Sequence, residues 1–218
     1  MVHTGVGSAA PSRAQRKERT RQALLDAAVR LLADQGLSSL SLREVSRAAG
    51  IVPAAFYRHF ADMGQLGVAL AEQSLGGMRT AERMVRVGLT GGDELIEQSM
   101  AVLVDEVRRH PERYRFLARE RFGGVAVVRR AIEDQLQRGA DELAADLMRA
   151  DLHATAGYLR DWPEADVRMA TTLIADHMWQ TAAALLDVVE HPVALAALRE
   201  RATQQLRLIV VGCRNWPG

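Results

Sequence analysis

The sequence predicts an all-α protein of about nine helices, with a short N-terminal three-helix domain and a larger helical body. Three observations support this prediction. Apolar residues recur at three- and four-residue spacing along most of the 218 residues, glycines and prolines punctuate these runs, and no stretch alternates apolar and polar side chains as a half-buried strand does. We expect a disordered tail over residues 1–12, a first domain over 13–62 and a body over 63–218.

The first helix is predicted over residues 16–35, because its apolar side chains form one stripe that ends before Gly36. The second helix begins after Ser41, which has capping-box spacing with Glu44. Leu40 and Val45 occupy the hydrophobic-staple positions on either side of that cap.

The third helix follows a turn of about three residues, Gly50–Val52, the length found in a helix-turn-helix. Pro53 suits the first helical position, whereas Val52 is a weak N-cap. If residues 53–61 are helical, Phe56 and Phe60 share the inner face and small, aromatic and cationic side chains occupy the outer one.

That outer face suits the major groove of DNA. Alanines let the backbone approach the bases, arginine pairs with guanine, and tyrosine or histidine at the rim holds phosphates. A histidine at this position is, however, more often packed than in contact. The predicted DNA-binding residues are Arg16, Thr20, Arg43, Ala54, Ala55, Tyr57, Arg58 and His59.

The distribution of charge is consistent with a polyanionic partner. The whole chain has a net charge of +1, but residues 12–60 hold nine Lys and Arg against four Asp and Glu, or +5, which leaves −4 for the rest. A solvated charged face explains the charge alone equally well.

The body is predicted to start with a long fourth helix, capped by Asp62 and interrupted near Gly76–Gly77. Further helices end near His110, Arg121 and Ala150, and a loop follows over 151–162. Two last helices start at Pro163 and Pro192 and end near Arg214; the first is apolar over more than one face, and the second carries one apolar stripe. We expect them to form an isologous dimer interface, with burial inside one subunit as the alternative.

Composition and motifs exclude several classes of protein. The single cysteine cannot form an intrachain disulfide, and no signal peptide or run of 18 apolar residues is present, so we expect a cytoplasmic protein with no membrane partner. We find no phosphate-binding glycine motif, HExxH, CxxC or nucleophile elbow, and His153 and His177 are isolated. The sequence therefore predicts no enzyme activity, no metal site and no cofactor.

Residues 20–67 resemble the DNA-binding region of the tetracycline-repressor (TetR) family of bacterial regulators, through TRQALLDAAVRLLADQGLSSLSLREVSRAAGIVPAAFYRHFADMGQLG. Val52 stands where many members have Ser or Thr, and Met63 stands where many have a lysine. With the segment HPERYRFLARERFGG, this variant resembles the fatty-acid-biosynthesis repressors typified by FabR and DesT.

The resemblance implies a homodimer that binds a palindromic operator, with its third helices in major grooves roughly 34 Å apart. It also implies a repressor of fatty-acid or lipid metabolism genes that senses long-chain acyl-CoA. The alternative is a regulator of an efflux pump or catabolic operon that responds to another apolar small molecule.

A ligand in the body would need an apolar lining, although methionine and phenylalanine at helical spacing are more often plain core. The candidates are Met100, Leu103, Val107, Phe116, Leu117, Phe122, Met148, Met178 and Trp179. The arginines of RERFGG, with Arg129 and Arg130, could meet a CoA phosphate or form a solvated surface; we favour the solvated surface.

Overall fold

The computed structural model describes residues 12–88, 92–149, 159 and 162–216, and in these ranges every regular element is helical. The predicted all-α class with about nine helices is confirmed. The described α-helices are α1 (Arg13–Leu31), α2 (Leu42–Ala48), α3 (Pro53–Phe56), α4 (Met63–Gly88), α5 (Gly92–Arg109), α6 (Pro111–Glu120), α7 (Ala126–Leu147), α8 (Glu164–Val188) and α9 (Pro192–Arg214). The predicted tail and the predicted 151–162 loop lie outside the described residues, apart from Ser12, Leu159 and Trp162.

Helix α1 begins three residues earlier than the apolar stripe predicts and ends four residues earlier, at Leu31. Its start is fixed by Ser12, whose amide donates to Gln15 Oε1 at 2.7 Å while the Gln15 amide donates to Ser12 Oγ at 3.2 Å. This reciprocal cap escapes a search for apolar periodicity because the first buried side chain, Leu24, comes three turns later.

The predicted capping box of α2 is confirmed. The Ser41 amide donates to Glu44 Oε2 at 2.9 Å, and the Glu44 amide donates to Ser41 Oγ at 3.3 Å. Hydrogen bonds from the hydroxyl and then the amide of Ser41 lower the pKa of the Glu44 carboxyl. Gly50 then turns the chain with φ of 70°, a left-handed conformation that favours glycine.

Helix α3 is shorter than the predicted 53–61 and ends at Phe56. The chain continues in tight turns, in which the amides of His59 and Phe60 both donate to the carbonyl of Phe56, at 2.8 and 3.1 Å. These turns keep Phe60 beneath the helix, with its ring centroid 5.7 Å from that of Phe56. Both phenylalanines are buried, so the predicted anchoring face is confirmed.

Helix α4 is one unbroken helix of 26 residues, and the predicted interruption at Gly76–Gly77 is wrong. Two glycines fit inside this helix because its packing and hydrogen bonds outweigh their low helix propensity, a cost of about 1 kcal/mol each. The predicted cap is confirmed, since Asp62 Oδ1 accepts from the Gln65 amide at 2.8 Å.

A close approach fixes α4 between the N-terminal domain and the body. A Cβ atom at Gly67 would lie 2.5 Å from Leu37 Cδ2, in the short 3-10 helix Leu37–Ser39, and 2.7 Å from Val128 Cγ2 of α7. At such distances any side chain here would force its neighbours to shift. Glycine at this position therefore brings the two parts into direct contact.

Two large apolar cores lie in the described part of the chain, beside a small cluster around Leu147 and Leu159. The first joins α1, α2, α3 and the first half of α4 to α6, α7 and Trp179 of α8. The second joins Met78 of α4 to α5, α6, α8 and α9. The first core crosses the predicted boundary at residue 62, which stays a prediction. Among the described helices, none has the length and apolar character required to cross a bilayer.

Candidate DNA-binding surface and ligand cavity

The outer side of α3 is exposed, as its sequence predicts. Ala54 and Arg58 face solvent, Ala55 is half-buried, and the Tyr57 side chain is 65% exposed. The neighbouring Val52 is also exposed. Small side chains, a tyrosine and an arginine therefore stand next to one another on a surface that no described residue covers.

Four arginines of the N-terminal domain are exposed and form no ion pair with a described acidic side chain. Arg16 of α1, Arg43 and Arg47 of α2 and Arg58 are exposed. Within the described ranges, no Asp or Glu side chain lies within ion-pair distance of these four guanidinium groups. Free guanidinium groups on one domain are the electrostatic arrangement that attracts phosphates.

Two of the predicted contact residues are engaged within the fold. Thr20 is half-buried, and its Oγ1 donates to the Arg16 carbonyl at 3.0 Å. His59 is half-buried, and burial lowers its pKa, with further lowering by Lys17 and Arg21. The Nδ1 atom of His59 is buried with no hydrogen-bond partner among the described residues. The packed alternative fits His59 better than a phosphate contact does.

The body contains a cavity of about 150 Å³ between α4, α5, α7, α8 and α9. Most of its wall is apolar: Leu75, Met78, Leu95, Ile96, Leu136, Leu143, Leu147, Ile174, Ala175, Met178, Trp179, Leu206 and Val210. Such a lining, with few polar groups, is typical of a small-molecule site.

A polar strip, formed by Arg79, Glu82 and Arg86 of α4 with Gln135 of α7, interrupts this apolar wall. The Arg86 Nε donates to Asp146 Oδ2 of α7 at 2.8 Å. Arg79 donates a hydrogen bond to Gln135, and its Nε atom lies 3.4 Å from Glu142 Oε1. Both arginines are thus paired with acidic residues of α7.

Glu82 is the least satisfied member of the polar strip. Its nearest cationic atom is Arg86 Nη1, at 4.0 Å, and no described residue donates a hydrogen bond to its carboxyl. Burial raises the pKa of Glu82 to about 7, although Arg86 and Arg79 act in the opposite direction. The carboxyl is therefore divided between its neutral and charged forms near neutral pH.

The structure places the predicted lining residues in three different environments. Met178 and Trp179 line the cavity. Phe122 is 83% exposed, so its predicted role in the lining is wrong, and Met148 is likewise exposed outside the cavity. The remaining five pack inside the two cores without reaching the wall: Met100, Leu103, Val107, Phe116 and Leu117.

Sequence reasoning missed the polar strip because it searched for apolar lining. A signal was present, since Arg79, Glu82 and Arg86 are spaced by three and four residues and therefore share one face of α4. Charged residues on an amphipathic helix are normally assigned to solvent. Only the packing of α7 against α4 shows that this face is covered.

The RERFGG segment connects the body to the N-terminal domain. Arg119 Nη1 donates to the Leu32 carbonyl at 3.1 Å, and Glu120 Oε1 accepts from the Leu37 amide at 2.8 Å. Glu120 is buried, which contradicts the solvated surface expected there. The Arg121 guanidinium lies 5.4 Å from the ring centroid of Trp179 on the cavity wall.

Arg129 and Arg130 are engaged by backbone carbonyls. Arg129 Nη1 donates to the Gly123 carbonyl at 2.6 Å, and Arg130 Nε donates to the Ala126 carbonyl at 3.5 Å. Neither arginine lines the cavity. A role for them in binding a phosphate there has no support from this geometry.

Helices α8 and α9 pack on each other and keep a second apolar surface exposed. Val167, Ala170 and Thr181 of α8 are buried inside the subunit, which agrees with the alternative to a dimer interface for these side chains. Leu173 of α8 and Leu208 of α9 are more than half exposed. Apolar side chains on the outside of these two helices are suited to an interface with a second subunit.

Comparisons with known proteins agree with this geometry. Residues 24–70 match the family described as "Bacterial regulatory proteins, tetR family", and this range spans α2 and α3 with parts of α1 and α4. FadR from Bacillus subtilis, solved in complex with stearoyl-CoA, has 17% identity and a TM-score of 0.70, with 88% of this chain and 98% of that chain covered.

Two further structures are similar. A TetR-family transcriptional regulator from Syntrophomonas wolfei has 16% identity and a TM-score of 0.72, covering 91% of this chain and 97% of the other. The ketosteroid transcriptional regulator KstR2 of Mycobacterium tuberculosis has 18% identity and a TM-score of 0.55, covering 88% and 93%. At these identities the likeness shows a common fold.

Proposed function

We propose that this chain, which belongs to the TetR family of bacterial transcriptional regulators, binds DNA through α3 and responds to a ligand held in the cavity of its body. One observation carries this proposal: the unbroken helix α4 contributes to the core of the N-terminal domain with its first half and to the cavity wall with its second.

At the DNA end, we assign base contacts to Ala54, Ala55 and Arg58, and phosphate contacts to Tyr57 and Arg43. The assignment follows the exposure of these side chains and the lack of acidic partners for the arginines. An exposed arginine beside two small residues can approach guanine in the major groove, where a bidentate pair is worth about 1–3 kcal/mol.

Besides α4, three contacts connect the cavity wall to the N-terminal domain. Arg121 lies over Trp179 of the cavity wall, while Arg119 and Glu120, its neighbours, bond to the backbone at Leu32 and Leu37 of the N-terminal domain. A ligand that moves the cavity wall would move these contacts. It changes DNA binding only if its affinity differs between the two arrangements.

Two classes of effector are supported by different observations. Long-chain acyl-CoA, and with it repression of fatty-acid or lipid metabolism genes, is supported by the resemblance to FabR and DesT and by the similarity to FadR. Another apolar small molecule is supported by the cavity volume of about 150 Å³, which is below the usual range of roughly 300–1,000 Å³ for drug-sized ligands. An acyl chain of 18 carbons would require the cavity to expand.

We also propose a homodimer that places two α3 helices on a palindromic operator. The exposed apolar side chains Leu173 and Leu208, on α8 and α9, support an interface formed by these helices in both subunits. A second subunit would cover them in a four-helix arrangement.

A gel-shift assay on the DNA upstream of the protein's own gene tests the regulator, and native mass spectrometry with and without stearoyl-CoA tests the effector class. We expect specific retardation by a dimer. One stearoyl-CoA retained per subunit would establish the first effector class, and its absence under conditions that retain the dimer would leave the smaller apolar molecule. If the protein specifically retarded neither that DNA nor the promoters of neighbouring genes, the proposal that it is a DNA-binding regulator would be contradicted.

A further inference from the structure

Helix α1 projects beyond the domain to which it belongs. Residues 13–19 are all exposed, and the first buried side chain of the helix is Leu24. At a rise of 1.5 Å per residue, this projecting segment (residues 13–19) is about 10 Å long. Its start is fixed by the capping box of Ser12 and Gln15, so the segment is helical although its own side chains bury little surface.

Three cationic side chains form one row along α1. Arg13, Lys17 and Arg21 follow one another at four-residue spacing and therefore share one face of the helix. We call these three residues the basic stripe. The same row continues into Leu25, which is buried in the first core. The basic stripe thus extends the face that packs on the domain, but Arg13 and Lys17 are exposed because no described residue lies against them.

The charge of the basic stripe is poorly compensated within the chain. Among the described residues, the one acidic side chain within ion-pair distance of the stripe is Glu18, whose Oε1 lies 4.0 Å from Arg21 Nη1. Residues 1–11, which precede the helix, contain no Asp or Glu. The positive charge of the stripe is therefore available to another molecule.

The position of these cations is unfavourable for the helix itself. The N-terminus of a helix carries a partial positive charge, which favours acidic side chains in the first turn. Helix α2 has Glu44 there, and α5 has Asp93 and Glu94. The first turn of α1 contains no acidic residue and holds Arg13 and Arg16 instead. Cations at this end do not stabilise α1, whereas an anionic partner would meet both their charge and that of the helix terminus.

The basic stripe lies next to α3. The Arg21 guanidinium is 5.3 Å from the ring centroid of Phe60, in the tight turns that follow α3. Burial lowers the pKa of His59 in the same turns, and three neighbouring cations lower it further: Lys17, Arg21 and Arg58. The stripe and Arg58 therefore surround one turn and belong to one positively charged surface.

We propose that the basic stripe of α1 is a second DNA-binding element, which holds phosphates of the DNA backbone beside the major groove that α3 enters. The inference rests on the proposed function, because it takes α3 to be the helix that contacts bases. It adds phosphate contacts from α1 to those assigned above to Tyr57 and Arg43. Since the backbone is the same at every base pair, these contacts contribute affinity and orientation but no sequence preference.

The helical form of the stripe suits this role. From Arg13 to Arg21 the stripe covers about 12 Å, and each DNA strand carries one phosphate per roughly 3.4 Å of axis, so more than one phosphate is within its reach. A capped helix also holds its cations in place before DNA binds. Less conformational freedom is then lost on binding than in a basic tail that must first be ordered.

Two double variants of equal charge test the inference. Arg13→Gln with Lys17→Gln removes two cations of the stripe, and glutamine keeps a helix propensity similar to theirs. Arg19→Gln with Arg108→Gln is the matched control, because Arg19 lies on the opposite side of the projecting segment and Arg108 is exposed on α5. Fluorescence anisotropy of the full-length protein is measured between about 50 and 200 mM salt, on the DNA upstream of its own gene and on an unrelated duplex of the same length.

We expect the stripe variant to bind both duplexes at least about tenfold more weakly at about 0.1 M salt. The slope of log K against log salt concentration should become shallower by about two for each bound subunit, one for each lost phosphate contact. The ratio of the two affinities should stay that of the wild-type protein. The control variant should keep the wild-type slope on both duplexes.

Folding is checked on the same samples. The stripe variant should melt at the wild-type temperature or above it, because removing positive charge from the N-terminus of a helix does not weaken the helix. Arg13→Lys with Lys17→Arg keeps both charges and should bind DNA as the wild-type protein does. Weak binding by this charge-conserving variant would contradict a phosphate contact.

The inference would be overturned by an unchanged salt slope in the stripe variant, by equal losses in the stripe and control variants, or by a loss confined to the upstream DNA. Each of these results, with specific binding by the wild-type protein, would leave the proposed regulator intact. A shallower slope on both duplexes with no preference for the upstream DNA or neighbouring promoters would instead keep the stripe and remove the sequence-specific regulator. Loss of binding to phosphatidylglycerol vesicles with unchanged DNA binding would assign the stripe to a lipid surface and overturn the inference.

Discussion

Arginine serves two opposite purposes in the two ends of this molecule. Arg43 and Arg58 of the N-terminal domain are exposed and have no acidic partner among the described residues. Arg79 and Arg86 of the body are largely buried, and each is paired with a carboxylate of α7. The first pair leaves its charge available to another molecule, whereas the charge of the second pair is neutralised by carboxylates of the same chain. The difference shows that composition alone cannot locate a binding site for an anion.

Breaking the buried pair should cost much more stability than removing an exposed arginine. We expect Arg86→Met to lower the free energy of unfolding by about 2 kcal/mol, because the buried Asp146 carboxylate loses its charged hydrogen bond from Arg86 at 2.8 Å and keeps only Arg149, at 2.7 Å. Arg58→Met, the matched control in the other domain, should stay within about 0.5 kcal/mol. Urea denaturation followed by circular dichroism measures both, and equal losses would contradict the comparison.

The pH dependence of stability sharpens the same comparison at Glu82. Burial raises its pKa from the ordinary 4.5 to about 7, so its contribution to stability is complete below about pH 4.5 and is lost as pH rises through about 7. Relative to Glu82→Gln, the wild-type protein should therefore lose at most about 3 kcal/mol between pH 4.5 and 8. Denaturation midpoints at several pH values measure this difference.

Glu72→Gln provides the control for that pH series, because Glu72 is exposed on the same helix. The stability difference between Glu72→Gln and the wild-type protein should be nearly independent of pH over the same range. A flat profile for Glu82→Gln as well would show that folding does not raise the pKa of Glu82, which would contradict the prediction.

The N-terminal domain was predictable because its signals are local. The Ser41–Glu44 capping box, the turn at Gly50 and the Phe56–Phe60 anchor lie within a few residues of each other, and all are confirmed. Each depends on hydrogen bonds or spacing inside one segment. The Ser12 cap was also local, but it was missed because periodicity was read from the apolar stripe alone.

The body was predictable in its helices and unpredictable in its site. Its elements follow from periodicity, yet the cavity depends on which helix covers which face. The charged stripe of α4 looks solvent-exposed in sequence until α7 packs on it, and Phe122 looks like lining until the turn after α6 points it outward. Gly76–Gly77 shows the same limit, since tertiary packing overrides the local preference of glycine to end a helix.

The central claim is that this chain reads DNA with α3, and fluorescence anisotropy on its own upstream DNA tests it most directly. The comparison is between the wild-type protein, Arg58→Ala, and Arg108→Ala, which removes an exposed arginine from α5 in the body. The account predicts that Arg58→Ala loses specific affinity by at least about tenfold while remaining folded, and that Arg108→Ala binds as the wild-type protein does. Wild-type affinity in Arg58→Ala would contradict it.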